Sequence, residues 1–219
     1  MEQKRNDRAV FFDLDGTLCD TLADLTASLN YALRMFDERT CSEEQVRSFI
    51  GNGLKKQIER ALPDADGQRR AAVQSIARAH YEKHCTDHTA PYAGMPETLE
   101  RLRRRGYRLA VITNKPHGAA VKILETLFPA GTFDRIAGHR DGAPLKPDPA
   151  PYFAVADSLG VLPAKTVYVG DSDVDLMFAA AAGADAIGCG WGFRGAAFLK
   201  ECGAKVILAR PAQLLEVLQ

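Results

Sequence analysis

Residues 10–18 read Val-Phe-Phe-Asp-Leu-Asp-Gly-Thr-Leu, an apolar run that stops abruptly at two carboxylates one residue apart. A run of this kind suits a strand covered on both faces, as in a parallel sheet, and it places Asp13 and Asp15 at the strand's mouth. The Gly-Thr that follows breaks the run where strand ends carry ligand sites. Three further signals follow in chain order. Thr113 and Asn114 close the run Arg108-Leu-Ala-Val-Ile112, Lys146 sits in Leu-Lys-Pro-Asp-Pro, and Asp171 and Asp175 lie in Val167-Tyr-Val-Gly-Asp-Ser-Asp-Val-Asp. Taken singly, these are a turn, a surface lysine and a helix N-cap. Their ordered combination points to one acid-rich crevice with a lysine in it. Asp173, between the two acids of the last signal, reads as a solvated loop residue.

The intervening sequence sets the organisation. After the first strand, Leu22, Leu25, Leu29, Leu33 and Phe36 recur at helical spacing, and Ser42-Glu-Glu-Gln45 has the form of a capping box opening a second helix. Gly51-Asn52-Gly53 interrupts it. A third helical pattern runs from Lys55 to Leu62, closed by Pro63, and a fourth from about Gly67 to Cys85. Strand-like runs resume at 108–112 and 167–169, with a weaker one at 205–208, and amphipathic helices lie between them. This alternation predicts an α/β fold, a doubly wound, Rossmann-like parallel sheet. The expected division is an α/β core from 1–18 and 89–219, with a small helical cap domain, 19–88, inserted after the first strand.

The chain has 28 Lys plus Arg and 28 Asp plus Glu, so no global basic field argues for nucleic acid. A small anionic ligand must be held by local groups. The first residues are charged, and no apolar run approaches a membrane span or a signal-peptide core, so a cytoplasmic protein with no membrane partner is expected. Cys19, Cys41, Cys85, Cys189 and Cys202 are odd in number and scattered, and read as reduced thiols. His80, His84 and His88 recur beside Cys85 in a superficially zinc-like pattern. They read instead as polar groups where the cap returns to the core, because the helix is expected to fray before Pro91 and no acidic partner beside them completes a site.

The four signals together resemble the motifs of the haloacid dehalogenase superfamily of phosphohydrolases, and within it the phosphoglycolate phosphatase group. The likeness extends to Ile50-Gly-Asn-Gly53, Pro91-Tyr-Ala-Gly94, Thr113-Asn-Lys-Pro116 and Trp191-Gly-Phe193. It implies that strand one is central, flanked by the strands ending at Thr113 and Asp171. It also implies hydrolysis of a small phosphorylated metabolite, 2-phosphoglycolate first of all, by a monomer or homodimer.

The chemistry expected of these residue types follows. Asp13 is the nucleophile, forming an aspartyl-phosphate and splitting a hard step into two easier ones. Asp15 is the general acid and then base, a role expected to draw on crowding by negative charge. Asp13, the backbone carbonyl of Asp15, and Asp171 form a minimal ligand set for Mg²⁺, with Asp175 behind them. Thr113 and the amide of Asn114 donate to phosphoryl oxygens, and Lys146 opposes the acid cluster. Gly51, Asn52 and Gly53 are candidate substrate-binding residues in the cap. Alternatives remain: a phosphatase for sugar phosphates, nucleotides or pyrophosphate; a phosphonate hydrolase using a Schiff base at Lys55 or Lys56; and a binding protein without turnover.

Overall fold

The computed structural model describes residues 8–218; residues 1–7 of the expected 1–18 segment, and Gln219, lie outside the described residues. In chain order the elements are β1 (Ala9–Phe12), β2 (Cys19–Asp20), α1 (Leu22–Arg34), α2 (Glu43–Phe49), α3 (Leu54–Ala61), α4 (Gly67–His84), β3 (Ala90–Pro91), α5 (Met95–Arg104) and β4 (Arg108–Pro116). There follow α6 (His117–Leu127), β5 (Arg135–His139), α7 (Ala150–Leu159), β6 (Thr166–Gly170), α8 (Asp173–Ala182), β7 (Asp185–Cys189), α9 (Gly195–Glu201), β8 (Ile207–Leu208) and α10 (Leu214–Val217).

Six strands form one parallel sheet in the order β5-β4-β1-β6-β7-β8. The strand carrying the paired acids is therefore central, as expected, with Phe12 paired to Val111 on one side and Val169 on the other. All four β1 residues are buried, and they divide by parity. Val10 and Phe12 pack with Leu99 of α5 and Ile123 of α6, whereas Ala9 and Phe11 pack with Tyr152 of α7 and Phe178 of α8. Side chains alternate across a strand, so a continuous apolar run fills both layers at once. That is why β1 reads as unbroken hydrophobe.

β5, at one edge of the sheet, and β7, beside the edge strand β8, carry weaker apolar signals than β1, β4 and β6. The expected strand ending at Ile112 instead continues to Pro116, with a register irregularity against β5 between Thr113 and Pro116. The weak run at 205–208 contributes only Ile207–Leu208.

Between β2 and β3, themselves a two-residue antiparallel ladder, lie the four helices α1–α4. They bury their own apolar cluster, including Leu29, Leu33, Val46, Ile58 and Val73. The Ser42 capping box forms as read, Ser42 Oγ accepting from Gln45 N and Gln45 Oε1 from Ser42 N. Tyr81 and Cys85, at the end of α4, pack instead into the sheet-side cluster. Among the described residues no helix is long and apolar enough to cross a membrane.

Candidate active site

The C-terminal ends of β1, β4 and β6, three adjacent strands, bring together residues far apart in sequence. Asp13 and Asp15 follow β1, Thr113, Asn114 and Lys115 lie in the last part of β4, and Asp171 and Asp175 follow β6. Carboxylate oxygens of Asp13, Asp171 and Asp175 lie within 4.8 Å of one another, and all three residues are buried.

Close approach of the backbone makes this convergence feasible. Gly16 has φ +77°, and a Cβ there would stand 2.3 Å from Asp171 Oδ2. At Gly192 a Cβ would meet the Asp171 side chain at 2.3 Å and Gly16 O at 2.4 Å. The next residue, Phe193, donates its backbone N–H to Asp171 Oδ2 at 2.8 Å. The Trp191-Gly-Phe193 segment thus fixes one carboxylate of the cluster, while Trp191 Nε1 donates to Thr17 O at 3.0 Å.

Lys146 is buried in the middle of the acids. Its Nζ lies 3.0 Å from Asp13 Oδ1 and 2.7 Å from Asp175 Oδ1, and donates to Tyr168 Oη at 2.9 Å. Tyr168 in turn donates to Ile112 O at 2.6 Å. Burial alone would depress this lysine, yet Asp13 and Asp175 hold it above its ordinary value. Asp175 spends its second oxygen on the N–H groups of Asp171 and Ser172, at 3.1 and 3.0 Å, and on the Ser172 hydroxyl at 2.7 Å. Its carboxylate holds the loop and the lysine in place.

Asp13 differs. Burial pushes it up to about 6, with Asp175 and Asp15 adding to the rise while Lys146 and Thr113 oppose it. Its Oδ1 is close to Lys146, but no donor is aimed at it with hydrogen-bond geometry. Asp171 is likewise raised well above the carboxylate range by burial and by Asp175 and Asp13. One lysine among three carboxylates leaves negative charge in surplus, and Asp13 Oδ1 has lone pairs to spare. The donor set is all oxygen, which fits a hard divalent cation.

Asp15 faces the buried Lys115, whose Nζ contacts Asp15 Oδ1 at 2.5 Å, and the Thr21 hydroxyl, which donates to the same oxygen at 2.6 Å. Lys115 Nζ also sits 4.5 Å over the Tyr81 ring at the end of α4. Lys115 stood inside the Thr113-Asn-Lys-Pro116 segment without an assigned role, because its partner lies 100 residues away in sequence.

A cavity opens from these residues to the helical insert. Gly51 and Gly53 line it, but Asn52 does not: its Oδ1 accepts from Arg60 at 2.7 Å inside the insert. The Asn52 side chain thus serves a contact within the insert and not the cavity expected of it. Asn114 lines the cavity and also acts as a strut, donating from Nδ2 to Gly51 O and Lys146 O and accepting at Oδ1 from Lys146 N, at 3.0, 3.1 and 2.8 Å. Lys55 and Lys56 are exposed, and neither lines this cavity; Lys56 pairs with Glu59 at 2.7 Å.

The three histidines serve separate contacts. His80 meets Ser28 Oγ at 3.0 Å and stacks between Tyr31 and His84, which itself pairs with Asp87 at 2.8 Å. His88, beyond the end of α4, pairs with Asp24 at 2.9 Å. Acidic partners are thus present, contrary to the sequence reading, but they bind these rings one at a time. The five cysteines are free, and Cys19 is a fully buried thiol pushed up by burial.

The chain matches the sequence profile of the haloacid dehalogenase-like hydrolases over residues 10–189. It is 39% identical over 178 residues to the phosphoglycolate phosphatase of Cereibacter sphaeroides (strain ATCC 17025 / ATH 2.4.3), covering 80% of this chain and 81% of that protein. It is 31% identical over 220 residues to the phosphoglycolate phosphatase of Pasteurella multocida (strain Pm70), covering 97% and 98%. A crystal structure from Lactobacillus delbrueckii subsp. bulgaricus superposes with a TM-score of 0.90 at 33% identity, over 96% of this chain and 97% of the other.

Proposed function

The chain belongs to the haloacid dehalogenase-like hydrolase family, and within it we propose a Mg²⁺-dependent phosphomonoesterase that converts 2-phosphoglycolate and water to glycolate and phosphate. The observation that carries this reading is Asp13: a buried carboxylate with an undonated oxygen, flanked by Asp171 and Lys146, at the floor of a cavity roofed by the insert. Two relatives that match over four-fifths or more of this chain bear the name phosphoglycolate phosphatase.

In the first half-reaction an Asp13 carboxylate oxygen attacks phosphorus and the ester oxygen departs, taking a proton from Asp15. The glycolate leaves and Asp13 carries the phosphoryl group. In the second half-reaction Asp15 removes a proton from water as its oxygen attacks phosphorus, freeing phosphate and restoring Asp13. Thr21 and Lys115 both grip Asp15 Oδ1, which leaves Oδ2 as the oxygen to carry the proton. Asp13, Asp171 and the backbone carbonyl of Asp15 would hold the cation, whose charge, when bound, offsets the repulsion between carboxylate and phosphoryl oxygens. Thr113 and the Asn114 amide donate to phosphoryl oxygens, Lys146 balances the charge at Asp13, and Asp175 positions Lys146 and the Asp171 loop. The four helices of 19–88 act as a cap that excludes water and reads the leaving group.

The test is kcat/KM for 2-phosphoglycolate with Mg²⁺ against sugar phosphates, nucleotides, pyrophosphate and phosphonoacetaldehyde. A preference of about a hundredfold or more is expected. A flat profile would overturn the substrate assignment, and no turnover of any compound would overturn the enzymatic reading. A Schiff base at Lys55 or Lys56 has no support from their position.

A further inference from the structure

We propose that Arg47 and Gln57 form the subsite for the carboxylate of the leaving group, an inference that rests on the reading of this site as a hydrolase of 2-phosphoglycolate. The other cations along the cavity are all engaged. Lys115 faces Asp15, and Arg78 pairs with Asp141 and Glu82. Arg194 donates to the Ser48 and Ile50 carbonyls.

Arg47 is the exception. It lies in the last turn of α2, is exposed at the cavity wall, and has no ion-pair or hydrogen-bond partner among the described residues. Gln57, from the first turn of α3, lines the same cavity and is only 5% exposed, yet its side-chain amide also lacks a protein partner. The amide atoms themselves are accessible from the cavity, so a ligand there can take the place of water as their partner. The two helices that carry these groups are joined through Gly51 and Gly53, with φ +115° and +82°. Leu25, Leu29, Ile50 and Leu54 line the same cavity.

The substrate supplies what both groups lack. 2-Phosphoglycolate has an anion at each end, one carbon apart. Its phosphoryl end is met by the acid–lysine cluster on the core side, and its carboxylate must then face the insert. A guanidinium offers paired N–H donors matched to a carboxylate, and the Gln57 amide offers a further N–H. An ester with an uncharged tail would leave Arg47 without a counter-ion, and so would be disfavoured.

The experiment compares 2-phosphoglycolate with 2-hydroxyethyl phosphate, in which a hydroxymethyl group replaces the carboxylate. The wild-type kcat/KM ratio is expected to favour the first by about a hundredfold. Arg47→Gln and Gln57→Leu should each lower that ratio by about tenfold or more, chiefly through KM for 2-phosphoglycolate, with Arg47→Lys recovering part of the loss. Gln57→Glu, which sets a like charge against the carboxylate, should lower it further, and Lys56→Gln should leave it unchanged. A wild-type ratio in Arg47→Gln and Gln57→Leu would overturn the subsite while the function stands. Hydrolysis of both esters by wild type at a ratio near one would overturn the substrate reading and the subsite together. If neither ester is hydrolysed, calorimetric binding of 2-phosphoglycolate decides: loss of binding in Arg47→Gln supports the subsite, and unchanged binding overturns it.

Discussion

Two buried lysines divide the acids of the site between them. Lys146 stands against Asp13 and Asp175, and Lys115 against Asp15, so the two carboxylates given chemical steps are held by different cations. Asp13→Asn removes the nucleophile without changing side-chain volume, and should abolish phosphate release, by a factor on the order of 10⁴ or more, with little change in Tm. Turnover at the wild-type rate in that variant would contradict the mechanism. Lys115→Met should lower kcat by about a hundredfold, because Asp15 loses the contact that fixes its proton-bearing oxygen, and should also lower stability by about 3 kcal/mol as a buried pair is broken. A pH–rate profile separates the two effects: lost positioning at Asp15 changes its shape, whereas lost stability alone only scales it. Asp13, Asp15, Thr113, Lys146, Asp171 and Asp175 were legible as sequence because each ends a run or stands in a turn-rich motif. Nothing in Thr-Asn-Lys-Pro says that Lys115 turns inward to a carboxylate after another strand.

At the scale of elements, the chain announces what is buried on both sides and hides what is not. β1, β4 and β6 lie side by side in the sheet, and their residues are mostly apolar. β5, Arg-Ile-Ala-Gly-His, and β7, Asp-Ala-Ile-Gly-Cys, are short and glycine-bearing, and hydrophobic periodicity does not isolate them. The junction where α4 returns to the sheet was legible only as a group of histidines. Its organiser is Asp24 of α1, which accepts from the backbone N–H groups of His88 and Thr89, at 3.0 and 2.9 Å, and from the Thr89 hydroxyl at 2.7 Å. Burial would raise this carboxyl, but the bonds from Thr89 and His88 outweigh burial and hold it below its ordinary value. A depressed folded-state value gives stability that is present above the unfolded carboxylate pKa, about 3.9, and is lost as pH falls through the lower folded value. Asp24→Asn should therefore lose about 2 kcal/mol at pH 7 in urea unfolding, with the gap to wild type closing below about pH 4. A gap that stays constant down to pH 3 would show that the charge of Asp24 is not what holds the junction.

At the scale of the whole molecule, the insert with its own apolar cluster is tied to the sheet domain by polar contacts that cross the cavity. Asn114 reaches Gly51, Arg194 reaches Ser48 and Ile50, and Arg78 reaches Asp141. Such contacts fix the insert over the acids while leaving an opening between them, and their pairing over long sequence separations is what sequence patterns do not disclose. The acid cluster also carries a global consequence. Asp13, Asp171 and Asp175 repel one another in a dry site, so Mg²⁺ should raise Tm by several degrees at saturating concentration. Asp171→Asn should remove that dependence together with turnover, whereas a metal-independent Tm in wild type would argue against the cluster as a cation site.

In this mechanism Asp13 itself receives the phosphoryl group. The most direct measurement is to quench the enzyme during turnover of 2-phosphoglycolate with Mg²⁺, reduce any acyl phosphate with borohydride, and locate the modified residue by peptide mass spectrometry. Conversion is expected at residue 13 alone, lost in Asp13→Asn and when Mg²⁺ is chelated. Modification at another carboxylate, or steady turnover with residue 13 unmodified at every quench time while a control acyl phosphate is trapped, would contradict it.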